Sequence, residues 1–202
     1  MLELDLGCGT LERNGAIGLD YNLDILLGQQ KAVCAEITGE KANGNGRISL
    51  PFRENSFDQI RALDVLEHVS GDIRWVMGEI HRVARPNAQV VIQYPHFSSP
   101  NTYSDVTHVR VWGYRAFDHF AANTELGDRY RYFEGFGRRF PFELVSKEVE
   151  FPGAQRGGLS AKLVRKMSTL LYTLGGPLAY ELYVARVLPL GNVTINLKVI
   201  KE

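Results

Sequence analysis

Cysteine is scarce in this 202-residue chain. Cys8 and Cys34 are its only two, too few for a secreted disulfide scaffold, and Cys8 lies inside a glycine turn. Reduced thiols and a cytoplasmic protein are the expectation. Excess charge of either sign is also lacking: 23 basic residues balance 23 acidic ones. No global field argues for nucleic acid, so none is expected as a partner. Nor is there an apolar run of membrane-spanning length. The stretch that raises the question, Met167 to Tyr180, has 14 residues, short of the roughly 20 a spanning helix needs. No signal peptide is expected, because Met1 leads straight into an apolar strand. Repeats and low-complexity linkers are absent. What is present, 45% hydrophobic and 23% charged residues, suits one globular domain over 1–202 with a sizeable core.

The chain is organised around Leu2 to Asp24, LELDLGCGTLERNGAIGLDYNLD. Leu2, Leu4 and Leu6 make an apolar strand that Gly7 and Gly9 interrupt. Ala16 to Leu19 makes a second strand, with Asp20 at its end. In an open α/β sheet, ligands bind beyond the carboxyl ends of the strands, which puts the glycine turn and Asp20 together. A dinucleotide fingerprint requires a third glycine at position 12 and an acid about 20 residues further on. Position 12 is Glu12 and Asp20 comes early, which speaks against a nicotinamide oxidoreductase.

Further on, Asp24 to Gln30 predicts one helical turn and Ala32 to Ile37 a third strand. Glu36, near the end of that strand, is either a pocket residue or a solvated edge acid. Gly39 to Gly46 is a polar loop. Phe57 to Leu63 predicts the fourth strand. Gly71 to Ala84 predicts a helix whose apolar face is Ile73, Val76, Met77, Ile80 and Val83, stopped by Pro86. His81 is expected beside that face, at the surface or its boundary. Ala88 to Tyr94 is a buried fifth strand. Arg115 to Ala122 predicts a short helix with Phe117 and Phe120 turned inward. Phe142 to Phe151 and Asn192 to Ile200 alternate as strands six and seven. Strand–helix–strand repetition makes the sheet parallel.

Two segments resemble a known family. Asp5, Gly7 and Gly9 match the acid-x-Gly-x-Gly motif of class I S-adenosylmethionine-dependent methyltransferases, with Leu11 at the usual third glycine and almost no helix between strands one and two. A branch of the family similar to methyltransferase type 11 has this short connection. LPFRENSFDQIRALDVLEHV, Leu50 to Val69, and EIHRVARPNAQVVIQYP, Glu79 to Pro95, resemble its further signatures. The resemblance implies a doubly wound, mostly parallel seven-stranded sheet of Rossmann-like type, with strand seven antiparallel between five and six. It implies S-adenosylmethionine as cofactor. By resemblance, Asp5, Gly7 and Gly9 hold the methionine end, Asp20 takes the ribose hydroxyls, and Tyr21 and Glu36 border the adenine. Leu63 offers backbone to the amino group, and Asp64 lies beside the methyl-transfer centre. Glu67 and His68 fit the family's Glu-His pair, with a plain helix-entry role as the other reading. Family members usually carry a helix before the first strand, and none precedes it here, so a chain lacking that helix stays open.

The segment after strand five, Pro95 to Trp112, faces the same sheet edge. It contributes His96, Asp105 and His108 as candidate catalytic groups, because an oxygen or nitrogen acceptor must lose a proton and a histidine can take it. The other reading is a loop clamp in which Asp105 pairs with Arg110. A metal at His96, Asp105 and His108 would lack a fourth ligand at a usual spacing, so none is expected. Thr124 to Arg139, crowded with aromatics and arginines, reads as an acceptor-cleft wall or a solvated hairpin. The insertions at about 96–139 and 152–190 are expected to form a lid. Met167 to Tyr180 is read as a buried cap in preference to a membrane-surface anchor. The expected activity is methyl transfer from S-adenosylmethionine to an oxygen or nitrogen of a small-molecule acceptor, a sugar or a lipid-linked saccharide. A non-catalytic S-adenosylmethionine-binding protein is the alternative.

Overall fold

The computed structural model describes the chain apart from residues 11, 12, 14, 28, 30, 38–40, 43–45, 48, 152–158 and 202. Seven strands form its main sheet: β1 (Glu3–Leu6), β2 (Ala16–Asp20), β3 (Ala32–Cys34), β4 (Phe57–Leu63), β5 (Ala84–Pro95), β6 (Phe142–Val149) and β7 (Asn192–Val199). Their spatial order is β6-β7-β5-β4-β1-β2-β3. β3, β2, β1, β4 and β5 run parallel, while β7 is antiparallel to both β5 and β6. The winding direction reverses between β1 and β4, the switch point at which doubly wound folds open a crevice.

Burial explains the strands. Leu4, Leu6, Leu19, Ile60, Ala62, Val90, Ile92 and Tyr94 are fully enclosed. In β7, Val193, Ile195, Leu197 and Val199 face inward and the residues between them outward, the period-2 pattern of a strand with one face on a core. β3 is shorter than its sequence predicts, leaving Glu36 beyond the strand. Helix α1 (Leu23–Leu26) is the predicted single turn, with the Asn22 side chain accepting from the Asp24 N–H at its start. Helix α2 (Ile73–Val83) begins on Asp72, whose carboxylate accepts from the Arg74 N–H, and it ends before Pro86. Parts of the predicted 39–46 loop lie outside the described residues, and Lys41–Ala42 pairs with Gly46–Arg47 as a short antiparallel ladder.

The segment from 96 to 139 holds the short helices α3 (Pro100–Ser104) and α4 (Glu125–Tyr130), with a turn of 3-10 helix at Asp118–Phe120 between them. Phe117 and Phe120 are buried, as expected. The arginines of 124–139 do not reach the switch-point crevice. Arg131 and Arg139 pair with Glu134, and Arg138 pairs with the buried Glu79 of α2.

Helix α5 (Leu159–Tyr183) corrects an expectation. It is kinked at Gly176 (φ 74°) before Pro177, where the sequence breaks it, but it is not a buried cap. Leu163, Met167, Leu170, Leu174, Leu178 and Leu182 are all exposed, and of its described residues only Ser168 and Tyr180 are buried. Its C-terminal part is anchored by polar chemistry. Glu181 accepts from the Tyr114 N–H at 2.7 Å and from His96 Nε2 at 3.1 Å. His96 is wholly enclosed, and its Nδ1 accepts from the Ser98 N–H. Among the described residues, no helix is long and apolar enough to cross a membrane.

His81 is the second correction. It is buried against Phe142, with ring centroids 5.4 Å apart, and Nε2 donates to the Ile200 carbonyl at 2.9 Å. Helix α2 turns this flank toward the C-terminal strand, so the boundary position is closed over. Burial, with Lys201 and Arg138 nearby, lowers its pKa to about 4.

Two predictions follow from these buried groups. A folded-state pKa below the unfolded value of 6.5 means that the unfolded chain takes up a proton first as pH falls. His81 therefore weakens the fold progressively between about pH 6.5 and 4. His81→Gln, which keeps a donor for Ile200, should gain on the wild type across that window in urea denaturation; a constant difference would overturn the assignment. Glu181→Ala leaves the His96 N–H buried without a partner and should cost about 1–3 kcal/mol, read as an earlier urea midpoint. An unchanged midpoint would show that this anchor contributes nothing.

Candidate functional site

Gly7 ends β1 in the left-handed region (φ 64°), and a Cβ there would sit 2.2 Å from Val65 Cγ2. Glycine is thus required both by backbone conformation and by the chain leaving β4. The Gly7 and Cys8 N–H groups both donate to the Leu19 carbonyl, at 2.8 and 3.2 Å, which ties the glycine turn to β2. Asp20 fixes the other side. Its Oδ2 accepts from the Gly9 N–H at 3.1 Å and its Oδ1 from the Asn22 N–H at 3.0 Å. Each oxygen retains a further lone pair.

Beyond these strand ends lies a cleft of about 420 Å³ bordered by Gly7, Asp20, Tyr21, Glu36, Asp64 and His68. Tyr21 exposes most of its ring. The donor set suits a nucleoside: an acceptor-only carboxylate for a diol, an open aromatic face, and glycine backbone where a chain must pass close. Asp5, Gly9 and Leu63 do not border this cleft. Asp5 turns to Arg13 at 2.8 Å, and burial raises its pKa while the guanidinium opposes the rise. Gly9 serves the site through its N–H on Asp20, and Leu63 is the last residue of β4, opposite Gln93. Leu11 and Glu12 lie outside the described residues.

Asp64, directly after β4, also takes a left-handed conformation (φ 52°), uncommon for a residue with a side chain. Its N–H donates to the Gln93 carbonyl at 3.0 Å, Gln93 Nε2 donates to Oδ2 at 2.8 Å, and Asn192 Nδ2 donates to Oδ1 at 3.1 Å. Gln93 and Asn192 were not expected at the site from the sequence. As polar residues on alternating strands they read only as positions outside the core.

A second cleft, of about 540 Å³, opens on the other side of Asp64 and His68, bordered also by Glu67, Asn101, Asp105, His108 and Asn192. The turn of 3-10 helix at Leu66–His68 buries Glu67 and leaves His68 in the wall common to both clefts. Asp105 does not pair with Arg110. It accepts from the Thr107 hydroxyl at 2.6 Å, and that hydroxyl meets His68 Nδ1 at 2.8 Å. Arg110 donates to the Val69 carbonyl at 2.9 Å, and the Val109 and Arg110 N–H groups donate to the Glu67 carbonyl at 3.0 and 3.2 Å. His108 Nδ1 lies 3.0 Å from the Thr102 carbonyl, and its ring meets that of His68 at 4.6 Å. The Glu67 side chain has no hydrogen-bond partner at either carboxylate oxygen, and burial pushes its pKa up to about 7. Of the three expected catalytic groups, the structure brings Asp105 and His108 together at this cleft. His96 borders neither cleft; it is the buried partner of Glu181.

Comparison with known proteins follows this division. Residues 4–92 match a family model described as a methyltransferase domain. A demethylmenaquinone methyltransferase of Shouchella clausii is 30% identical over 100 residues, covering 44% of this chain and 42% of that protein. An uncharacterized protein of Methanocaldococcus jannaschii is 30% identical over 101 residues, covering 45% and 39%. The chain thus spans about two fifths of the length of the curated relatives it matches. Among solved structures, an S-adenosylmethionine-dependent methyltransferase from Archaeoglobus fulgidus superposes with a TM-score of 0.55 at 14% identity, over 98% of this chain and 85% of that one. Such a likeness establishes the fold. Residues 4–92 thus match the methyltransferase-domain family, and the sheet has the fold of an S-adenosylmethionine-dependent methyltransferase.

Proposed function

We propose that the protein transfers a methyl group from S-adenosylmethionine to an oxygen or nitrogen of a small-molecule acceptor held in the second cleft. The observation that carries this reading is the common wall: Asp64 and His68 border both clefts. A donor in one and an acceptor in the other would meet across it. The cofactor supplies an electrophilic methyl on a sulfonium and leaves as a neutral thioether. The contribution of the chain is placement of the two reactants, the main lever in a displacement of this kind. Asp20 takes the ribose hydroxyls, Tyr21 and Glu36 border the base, and Gly7 admits the chain beside it. The acceptor's proton has its receiving groups in His108 and Glu67. Asn101, Ser104, Asp105 and Asn192 line the second cleft, and their hydrogen-bonding groups suit a sugar. The exposed leucines of α5 offer apolar surface for a lipid-linked one.

Calorimetric titration of the full chain with S-adenosylmethionine and with its demethylated product tests the donor half. Asp20→Asn, which preserves the shape of the side chain and removes its charge, should bind about 10–100-fold more weakly, the loss expected for hydrogen bonds to a charged acceptor. Absence of binding by the wild type would end this reading. Binding with no labelled product from any sugar, lipid-linked saccharide or small-molecule acceptor would favour a non-catalytic binding protein.

A further inference from the structure

We infer that Glu67, His68 and His108 form a binding site for a divalent first-row transition cation in the wall between the two clefts. One ligand atom from each residue lies within 4.8 Å of the other two, and His108 Nε2 stands 3.9 Å from Glu67 Oε1. A tetrahedral ion with bonds of about 2.1 Å holds its ligand atoms roughly 3.4 Å apart. Side-chain rotations of an ångström or so would close the site.

Three independent features point to a cation. The first is Glu67 itself. It is 2% exposed, and neither carboxylate oxygen has a hydrogen-bond partner. Buried polar groups in folded proteins are nearly always partnered, and an ion is one of the few explanations for one that is not. The second is the tautomer of each imidazole. A carbonyl oxygen only accepts, so His108 must donate from Nδ1 to Thr102, and in the neutral ring Nε2 then carries the lone pair. The Asp105 carboxylate likewise only accepts, so the Thr107 hydroxyl donates to it and must accept from His68 Nδ1. His68 is therefore also left with a bare Nε2. Fixing a ligand tautomer through the remote ring nitrogen is how proteins prepare histidines for metals. The third is charge. Asp64 and Asp105 stand close enough to Glu67 to add negative potential around it.

Two imidazoles and one carboxylate select a borderline transition cation such as Zn²⁺, Co²⁺ or Fe²⁺ over Mg²⁺ or Ca²⁺. Three protein ligands leave coordination positions open, and Glu67, His68 and His108 all border the second cleft. An oxygen of the acceptor would fill one of them. This deepens the methyl-transfer reading and rests on it only for that last step. With a cation bound, Glu67 and His108 would act as ligands and no longer receive the acceptor's proton, which would pass to solvent.

The test uses the untagged full chain, stripped with chelator and titrated with Co²⁺ under visible absorption, with S-adenosylmethionine binding measured on the same samples. The expected result is saturable uptake of one Co²⁺ with the spectrum of a nitrogen- and oxygen-ligated ion. His108→Ala should abolish that spectrum. Thr107→Val, which removes only the hydroxyl that fixes His68, should weaken uptake by about 10–100-fold, as losses behind the ligands do. An unchanged urea midpoint reports that each variant is folded, since Thr107 itself borders the first cleft. No saturable uptake by a wild type that binds S-adenosylmethionine would overturn the site alone. Uptake indifferent to both substitutions would overturn it equally. Uptake without S-adenosylmethionine binding would support the site while ending the donor reading.

Discussion

The site depends on one contact: Val65 lies where a side chain at position 7 would have to be. A glycine at a strand end lets backbone approach a ligand closely. Here it also makes room for protein. Because β1 and β4 are neighbours, the chain leaving β4 must turn at once over the glycine turn. The turn is made by Asp64 in the left-handed region, and Val65 drops into the space that Gly7 leaves. From there the order of side chains is forced. Leu66 goes into the core, Glu67 follows it into burial, and His68 returns to the surface between the clefts. A larger residue at position 7 would displace this whole run, and with it both clefts.

Much of this was legible in the sequence because it is written in strand ends. Leu4 and Leu6 before Gly7, and Leu19 before Asp20, mark where apolar runs stop, and in a parallel sheet the stops share one edge. The fourth strand occupies the predicted residues for the same reason. What was not legible depends on packing between distant segments. His81 reads as a boundary residue until the C-terminal Ile200 covers it. Helix α5 reads as a cap because its composition is apolar, yet composition does not say what it packs against. His96 and His108 look equivalent on paper, twelve residues apart in one polar loop. Only the return of α5, with Glu181, enlists the first as an anchor and leaves the second at the cleft.

The energetics of Glu67 run against stability. Taking a carboxyl out of water without a hydrogen-bond partner costs free energy that the chain does not recover at that atom. Its backbone, by contrast, is doubly secured, since Val109 and Arg110 both donate to its carbonyl. The fold thus holds the residue firmly in place while leaving its side chain unsatisfied. A local conflict of that kind, inside a segment otherwise well bonded, is the pattern expected where a position is kept for binding and not for stability.

The architecture also separates what is general from what is particular to this protein. β1, β2 and the turn between them build the first cleft from backbone geometry and one carboxylate, and they fall within the stretch that matches the methyltransferase model. Asn101, Ser104, Asp105 and His108, which line the second cleft, come from α3 and the loop after it, outside that stretch. Loops on a rigid sheet can change without disturbing the core beneath them. Asp64 joins the two halves: it is positioned by Gln93 of β5 and Asn192 of β7, both inside the sheet, and it faces both clefts. In the methyl-transfer reading proposed above, the distance between donor and acceptor is set by the sheet, and the choice of acceptor falls to the segment that follows β5.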